Sequence, residues 1–323
     1  MGNSLKVGIV GARGIGKHHA KWFAGAGCEV TALYGTTPDS ANAAAALLAS
    51  SFGIVARPFH QWERFIAEGD FDACSVCSPA EDHAANVADL ARAGKHLLCE
   101  KPLVWNWDYS PGEIVAEAGG VVDAAARHGV LLGVNAQYPA ALKGFVQLHR
   151  DVTGRAPHYQ SLHFLMETKG KPRSPHGAAE VWVDLAPHPL AVLDAVAPGQ
   201  VDWATLRHTD GPLETVVGFD WVAGSQRLRT HIECRRTTDG SVRRRLGTED
   251  LTAEYEGCTV DGEFAARLRS GAHEWVGKDF MRTSVERFVE AVLARDENKL
   301  LVSGAAALRQ QEALTGVWER CWR

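Results

Sequence analysis

The 323-residue sequence has no apolar run of about 18 residues, the length a membrane-spanning helix needs. Its opening, MGNSLKVGIVGARG, has no basic segment followed by a long apolar core, so no secretory leader is expected. Basic charge is not in excess. The formal net charge is −5, and the longest basic run is Arg243-Arg244-Arg245 in a strand-like stretch. Three arginines there read as a solvated face rather than a phosphate-binding footprint, so neither nucleic acid nor membrane is expected as a partner. Cysteine is scattered and odd in number, at 28, 74, 77, 99, 234, 258 and 321. Only Cys74 and Cys77 form a CxxC, and no second pair stands at zinc-site distance. Within FDACSVCSP they read as core thiols of a buried strand. No metal is expected, and the compartment expected is the reducing cytoplasm.

The rest is an ordinary globular composition, 46% hydrophobic and 23% charged, in a length that suits two domains. Through residue 134 the runs LKVGIV, EVTALY, ACSVCS, KHLLCE and VLLGVN alternate with helical patterns such as GKHHAKWFAGAG and EDHAANVADLARAG. Near-continuous apolar strands separated by helices imply a parallel sheet covered on both faces. Beyond about residue 135, a helical segment over 184–195 precedes the β-rich runs VDWATLRH, ETVVGFDWVAG and RLRTHIECRRTT and the stretch 241–275. Helical patterns over 284–294 and 304–322 close the chain. The fold expected is α/β: an N-terminal Rossmann dinucleotide-binding domain over 1–134, then a C-terminal α+β domain over 135–323 with a large, mostly antiparallel open sheet.

The segment VGIVGARGIGK is a strand, a glycine turn and the start of a helix, which turns free backbone N–H groups and a helix dipole toward a phosphate. In the GxGxxG register it supplies Gly11, Arg13 and Gly16, so Arg13 replaces the middle glycine. The GxxxGxG template of short-chain dehydrogenases is missed by one residue, since the glycines are Gly11, Gly14 and Gly16. The YxxxK partner motif of that family is absent as well, because Leu142 lies four residues after Tyr138. Gly11, Arg13, Gly14, Ile15 and Gly16 are the candidate cofactor contacts of this turn. The second strand ends in Gly35-Thr36-Thr37, without the acid that binds a ribose 2′-hydroxyl in NAD enzymes. A small, hydroxyl-bearing tip leaves room for a 2′-phosphate that Arg13 can neutralise. NADP(H) is therefore favoured over NAD(H); the alternative is NAD served by Asp39 or by backbone.

Further along, Ser78-Pro79 ends a strand, His83 follows, a helix ends in Ala93-Gly94-Lys95-His96, and the next strand runs into Glu100-Lys101-Pro102. In this succession the chain resembles the glucose-fructose oxidoreductase/inositol dehydrogenase/MocA (Gfo/Idh/MocA) family. GVLLGVNAQYP, VDLAPHPLAVLDAV and the C-terminal FVEAVLARDE and VSGAAALRQQEALTGVWE extend the resemblance over nearly the whole chain. It implies that Ser78, Pro79, His83, Glu100 and Lys101 contact the cofactor, and that Lys101 also meets the substrate. An ammonium at the carboxyl edge of a parallel sheet can hydrogen-bond a substrate oxygen and stabilise charge developing on it.

Asp184 and His188 are spaced i, i+4 and share one face if helical, with Asp184 a plausible N-cap and Pro187 tolerable in a first turn. A histidine can exchange a proton with a hydroxyl near neutral pH, and a neighbouring carboxylate can orient it. Matched to the family's DxxxH motif, the two become the catalytic partners of Lys101. Asn135, Gln137 and Tyr138 stand at the family's domain junction, with Gln137 where an arginine is usual, and are the further substrate contacts. Trp105, Trp107, Trp182, Lys169 and Arg173 are weaker candidates for the substrate cleft.

The resemblance implies an NAD(P)-dependent oxidoreductase that moves hydride between nicotinamide and a sugar, polyol or related compound, as a homodimer or homotetramer. A redox-neutral epimerase, lyase or glycosidase that recycles bound NAD(P), an imine or ketone reductase, and a non-catalytic dinucleotide sensor are the alternatives.

Overall fold

Strand β1 (Lys6–Val10) carries no polar side chain after its lysine and is buried from Val7 onward, as a strand covered on both faces must be. In this computed structural model, which describes residues 4–170, 175–238 and 240–323, β1 lies inside a six-stranded parallel sheet. Its other strands are β2 (Glu29–Tyr34), β3 (Arg57–Phe59), β4 (Ala73–Val76), β5 (His96–Cys99) and β6 (Leu132–Val134), in the order β3-β2-β1-β4-β5-β6. The direction of winding reverses between β1 and β4, and such a reversal opens a crevice at the carboxyl ends of the strands. The connecting helices are α1 (Gly16–Gly25), α2 (Pro38–Phe52), α3 (Trp62–Glu68), α4 (Ala80–Arg92) and α5 (Pro111–Arg127). Helix α2 begins with a reciprocal capping box between Thr37 and Ser40 and a proline in its first turn, and α5 repeats the device with Ser110, Pro111 and Glu113.

The second sheet has eight strands. They are β7 (Ser161–Lys169), β8 (Gln200–Gly211), β9 (Glu214–Ala223), β10 (Gln226–Thr237), β11 (Arg244–Gly247), β12 (Thr252–Val260), β13 (Glu263–Ser270) and β14 (His273–Lys278). Their order is β14-β13-β12-β11-β7-β10-β9-β8, antiparallel throughout except for the β7–β10 pair. Burial alternates residue by residue along β9 and β10, so one face is core and the other is not. Helix α6 (Ala141–Thr153) packs against β13 and β14, and α7 (Ala178–Leu185) against β9 and β10, with α8 (Pro187–Val196) following. Trp182 and Trp221 are fully buried, their indole N–H groups donating to the Leu314 and Ala197 carbonyls at 3.1 and 2.8 Å. These sheets are the two that the sequence patterns imply.

Two helices end the chain, α9 (Phe280–Ala294) and α10 (Gly304–Trp322). The compact units are Met1–Asn135 with Met281–Leu308, and Ala136–Phe280 with Arg309–Arg323. The segment 281–308, which the sequence reading groups with the second domain, therefore packs in the first. Phe288 meets Phe23 of α1 edge-on at 6.0 Å, Val285, Val289 and Val292 enter the same core, and Ser303 bridges to Gly133 of β6. An apolar helical face distant in sequence has no local signal for which sheet it covers. Among the described residues, no helix is long and apolar enough to cross a membrane.

Candidate functional site

At the carboxyl ends of β1, β2 and β4 lies a cavity of about 580 Å³. It is lined by Val10 to Gly14, by Tyr34, Gly35, Thr36, Ser40 and Ala44, by Trp62, and by Cys77, Ser78, Pro79, Asp82 and Asn86. Gly11 has φ +78°, and a Cβ there would stand 2.4 Å from the Cys77 carbonyl oxygen, so only glycine lets the turn pass this close to β4. Gly14 faces open space, while Arg13 is exposed on the cavity wall and makes no ion pair among the described residues. The missing acid at the tip of β2 has a steric reason. A Cβ at Gly35 would lie 2.8 Å from both the Ala41 nitrogen and the Ser40 hydroxyl, because the start of α2 packs against the strand end.

Of the remaining expected cofactor contacts near this turn, exposed Ile15 caps α1, Gly16 is its buried first residue, and Thr37 caps α2. None of the three lines the cavity, nor does Asp39. Asp82 and Asn86 do and were not anticipated, although their i, i+4 spacing behind Ser78-Pro79 is a readable signal; Asn86 holds the Ser78 hydroxyl at 2.9 Å. Trp62 was missed too. Its N–H donates to Asp89 at 2.9 Å and its ring meets Tyr34 edge-on at 5.0 Å, contacts that only the fold creates.

Lys101 is partly exposed just past β5, and the Lys101–Pro102 peptide is cis. Glu100, 8% exposed, receives the buried His19 Nε2–H on Oε1 at 2.8 Å and the Asn135 amide on the same oxygen at 2.6 Å. Its Oε2 accepts the Lys101 backbone N–H at 3.3 Å. The other ring nitrogen of His19 lies 2.8 Å from the Ser75 hydroxyl, which stands 3.4 Å from the Cys77 sulfur. Burial opposes charge on both His19 and Glu100. For the ring, the Cys77 sulfur and the Glu100 carboxylate outweigh burial and raise its pKa to about 10. For the carboxyl, hydrogen bonds from His19 and Asn135 and the His19 and Lys101 charges outweigh it and bring its pKa down to about 2. Asn135, expected to meet substrate, thus spends its amide N–H on Glu100; its Oδ1 is buried without a partner among the described residues. His83 is also inward, its nitrogens 2.9 Å from the Pro102 and Ser78 carbonyls, and burial lowers its pKa. It brackets the two loops that carry Ser78-Pro79 and Lys101.

In the other unit, Asp184 sits inside α7, whose N-cap is Gly177, so the N-cap expectation for Asp184 is corrected; Pro187 does open α8. The Arg236 guanidinium, itself buried, donates to Glu180 at 2.7 Å and to Asp184 at 3.4 Å. His188 is 8% exposed, with its ring 4.8 Å from that of Tyr138. Tyr138 packs edge-on to Tyr255 and Phe280, and burial raises both phenol pKa values, that of Tyr255 to about 12. Gln137, half-buried, caps the short 3₁₀ turn that begins with Tyr138. Glu180 and Arg236 were not anticipated; Glu180 precedes Asp184 by one helical turn, and Arg236 arrives from β10. Of the weaker cleft candidates, Trp182 is core and Trp105 is 2% exposed, while Lys169 is exposed at the end of β7. Trp107 meets Trp105 edge-on, and Arg173 lies outside the described residues. All seven cysteines are free thiols, and no cluster of metal-binding side chains occurs among the described residues. Cys74 is core as expected, whereas Cys77 lines the cavity.

Part of the chain is similar in sequence to known proteins, and the whole is similar in fold. Residues 5–136 match the Gfo/Idh/MocA profile, described as an oxidoreductase family with an NAD-binding Rossmann fold. Over 100 residues the chain is 36% identical to the inositol 2-dehydrogenase of Rhizobium meliloti, covering 31% of this chain and 28% of that one. Over 132 residues it is 34% identical to the 1,5-anhydro-D-fructose reductase of Ensifer adhaerens, covering 40% and 35%. The chain thus aligns with about a third of the length of these relatives. The UDP-N-acetylglucosamine 3-dehydrogenase structure from Acidithiobacillus ferrooxidans superposes with a TM-score of 0.72 at 19% identity, over 98% of this chain and 97% of that one, a likeness of fold. The family's sequence profile thus matches the first part of the chain, residues 5–136, and the likeness over the whole chain is one of fold.

Proposed function

We propose that the protein is an NAD(P)-dependent oxidoreductase acting on CH–OH groups, with a sugar, polyol or related hydroxyl or carbonyl compound as substrate. The observation that carries this reading is one parallel sheet presenting both the glycine-turn cavity and Lys101 at its carboxyl edge. The cavity's residues fit a dinucleotide. Gly11 opens the turn to phosphate, Ser78 and Pro79 form the facing wall, and no side chain can grow from Gly35 where a 2′-phosphate needs room. Arg13 on the wall and Thr36 at the tip favour NADP(H) over NAD(H). When bound, the nicotinamide supplies or accepts the hydride.

The chain's own residues do the rest. Lys101 donates to the substrate oxygen and stabilises its developing negative charge. His188 exchanges the proton of that hydroxyl, and Asp184, held by Arg236, orients His188. Assembly as a homodimer or homotetramer and a cytoplasmic location are inferred from the family and the free thiols.

Fluorescence titration with NADPH and NADH, followed by turnover of a panel of sugars and polyols, tests the reading. Lys101→Ala is expected to lower turnover by on the order of 10²–10³-fold, the usual loss when one stabilising donor is removed, with cofactor affinity retained. Unchanged turnover overturns the role of Lys101. Arg13→Ala is expected to weaken NADPH about tenfold or more, the worth of a charge-assisted contact, and to spare NADH. Equal loss for both cofactors overturns the preference.

A further inference from the structure

We propose that His19 is a positioning residue that sets the backbone of Lys101 through Glu100, tying the first turns of α1 to the end of β5. The inference rests on the reading of Lys101 as the group that meets substrate. His19 is fully buried four residues into α1, and each ring nitrogen has a partner. Its Nε2–H and the Asn135 amide stand 3.1 Å apart and converge on one oxygen of Glu100, which leaves the other oxygen to take the Lys101 N–H. The far side of Lys101 is held as well, since the Pro102 carbonyl is 2.9 Å from His83. Lys101 is therefore clamped between two inward histidines, and only His19 belongs to the helix of the dinucleotide turn.

The titratable groups facing the ring are Glu100 from the end of β5 and Cys77 from the loop after β4, with Lys101 beyond Glu100; Ser75 and Asn135 are neutral. A doubly protonated ring fits this setting. Nε2–H donates to Glu100, Nδ1–H donates to Ser75, and the Ser75 hydroxyl is left to reach the Leu98 carbonyl at 3.5 Å. A neutral ring leaves Glu100 a buried, half-compensated charge, which drives it out of place.

The experiment uses the full chain with ¹⁵N-labelled histidine. Long-range ¹H–¹⁵N spectra are expected to show His19 carrying protons on both nitrogens from pH 6 to 9, and losing one in Glu100→Gln. With NADP⁺ and the best polyol of the panel, Glu100→Gln is expected to lower kcat about tenfold to a hundredfold, the scale of a small misplacement of a reacting group, while NADPH affinity holds. His19→Gln, which keeps a donor for Glu100, is expected to retain more activity than His19→Ala. A neutral wild-type ring at pH 7.5, or unchanged kcat in folded Glu100→Gln, overturns the proposal. Lys101→Met run alongside separates the two claims: if it keeps turnover, the reading of Lys101 fails, whatever the state of His19.

Discussion

The two sheets keep their polar groups in opposite places. In the parallel sheet β1, β4 and β5 are buried on both faces, so side-chain chemistry collects past the carboxyl ends of the strands. His19, Glu100, Asn135, Lys101 and the glycine-turn cavity are all found there. In the antiparallel sheet the alternation of β9 and β10 leaves a whole outer face for charge, where Arg227 bridges Asp202 and Asp220, and Arg243 pairs with Glu167. The first architecture points to its own site, because topology admits few polar positions. The second offers many, and only a local motif such as VDLAPH singles out a few.

The antiparallel unit, with one face core and the other not, depends most on its inner face. Trp182→Ala deletes a fully buried indole and its bond to the Leu314 carbonyl, and is expected to cost about 3–5 kcal/mol by chemical denaturation. A loss under about 1 kcal/mol, the size typical of surface changes, would show that this face is not the core. In the parallel unit the sensitive place is the sheet's edge. Gly11→Ala adds a Cβ 2.4 Å from the Cys77 carbonyl at a φ of +78° and must displace the turn from β4. It is expected to abolish dinucleotide binding at a stability cost of about 1–3 kcal/mol. Intact binding of NADPH would mean that the cavity is not its site.

The same contrast explains what could be read from sequence. β1, β2, β4, β5 and β6 announce themselves as apolar runs, and the motifs at their ends follow from the order of the chain. β3 and α3, of three and seven residues, are too short to show a period. β7, SLHFLMETK, is central in the second sheet, yet four consecutive buried residues break its alternation. His19 was legible in principle. It falls on the same helical face as Ala20 and Phe23, and a histidine on an apolar face needs an inward partner. Glu100 as that partner was not legible, because 81 residues separate them and only the sheet order brings them together.

The parallel unit's buried pair also gives it a pH dependence. His19 has a folded-state pKa raised from 6.5 to about 10, so its contribution is complete below pH 6.5 and is lost as pH rises toward 10. Glu100 is depressed from 4.5 to about 2, so its contribution is present above pH 4.5 and is lost as pH falls toward 2. The melting temperature is expected to fall on both sides of a plateau between about pH 4.5 and 6.5. His19→Gln should flatten the alkaline limb, and an unchanged limb would place the titrating group elsewhere.

The smallest effect belongs to the outer face of the antiparallel sheet. Arg227 reaches two carboxylates at 2.6 and 2.9 Å, yet its side chain is 53% exposed. Water competes for each of those bonds, salt screens the charges, and holding the long side chain still costs entropy. Arg227→Ala is therefore expected to lower the melting temperature slightly at low ionic strength and not at all in molar salt. A large, salt-resistant loss would mean that water is kept from this face. The face would then be covered in solution, and sedimentation of wild type and variant would show whether a second copy of the chain is the cover.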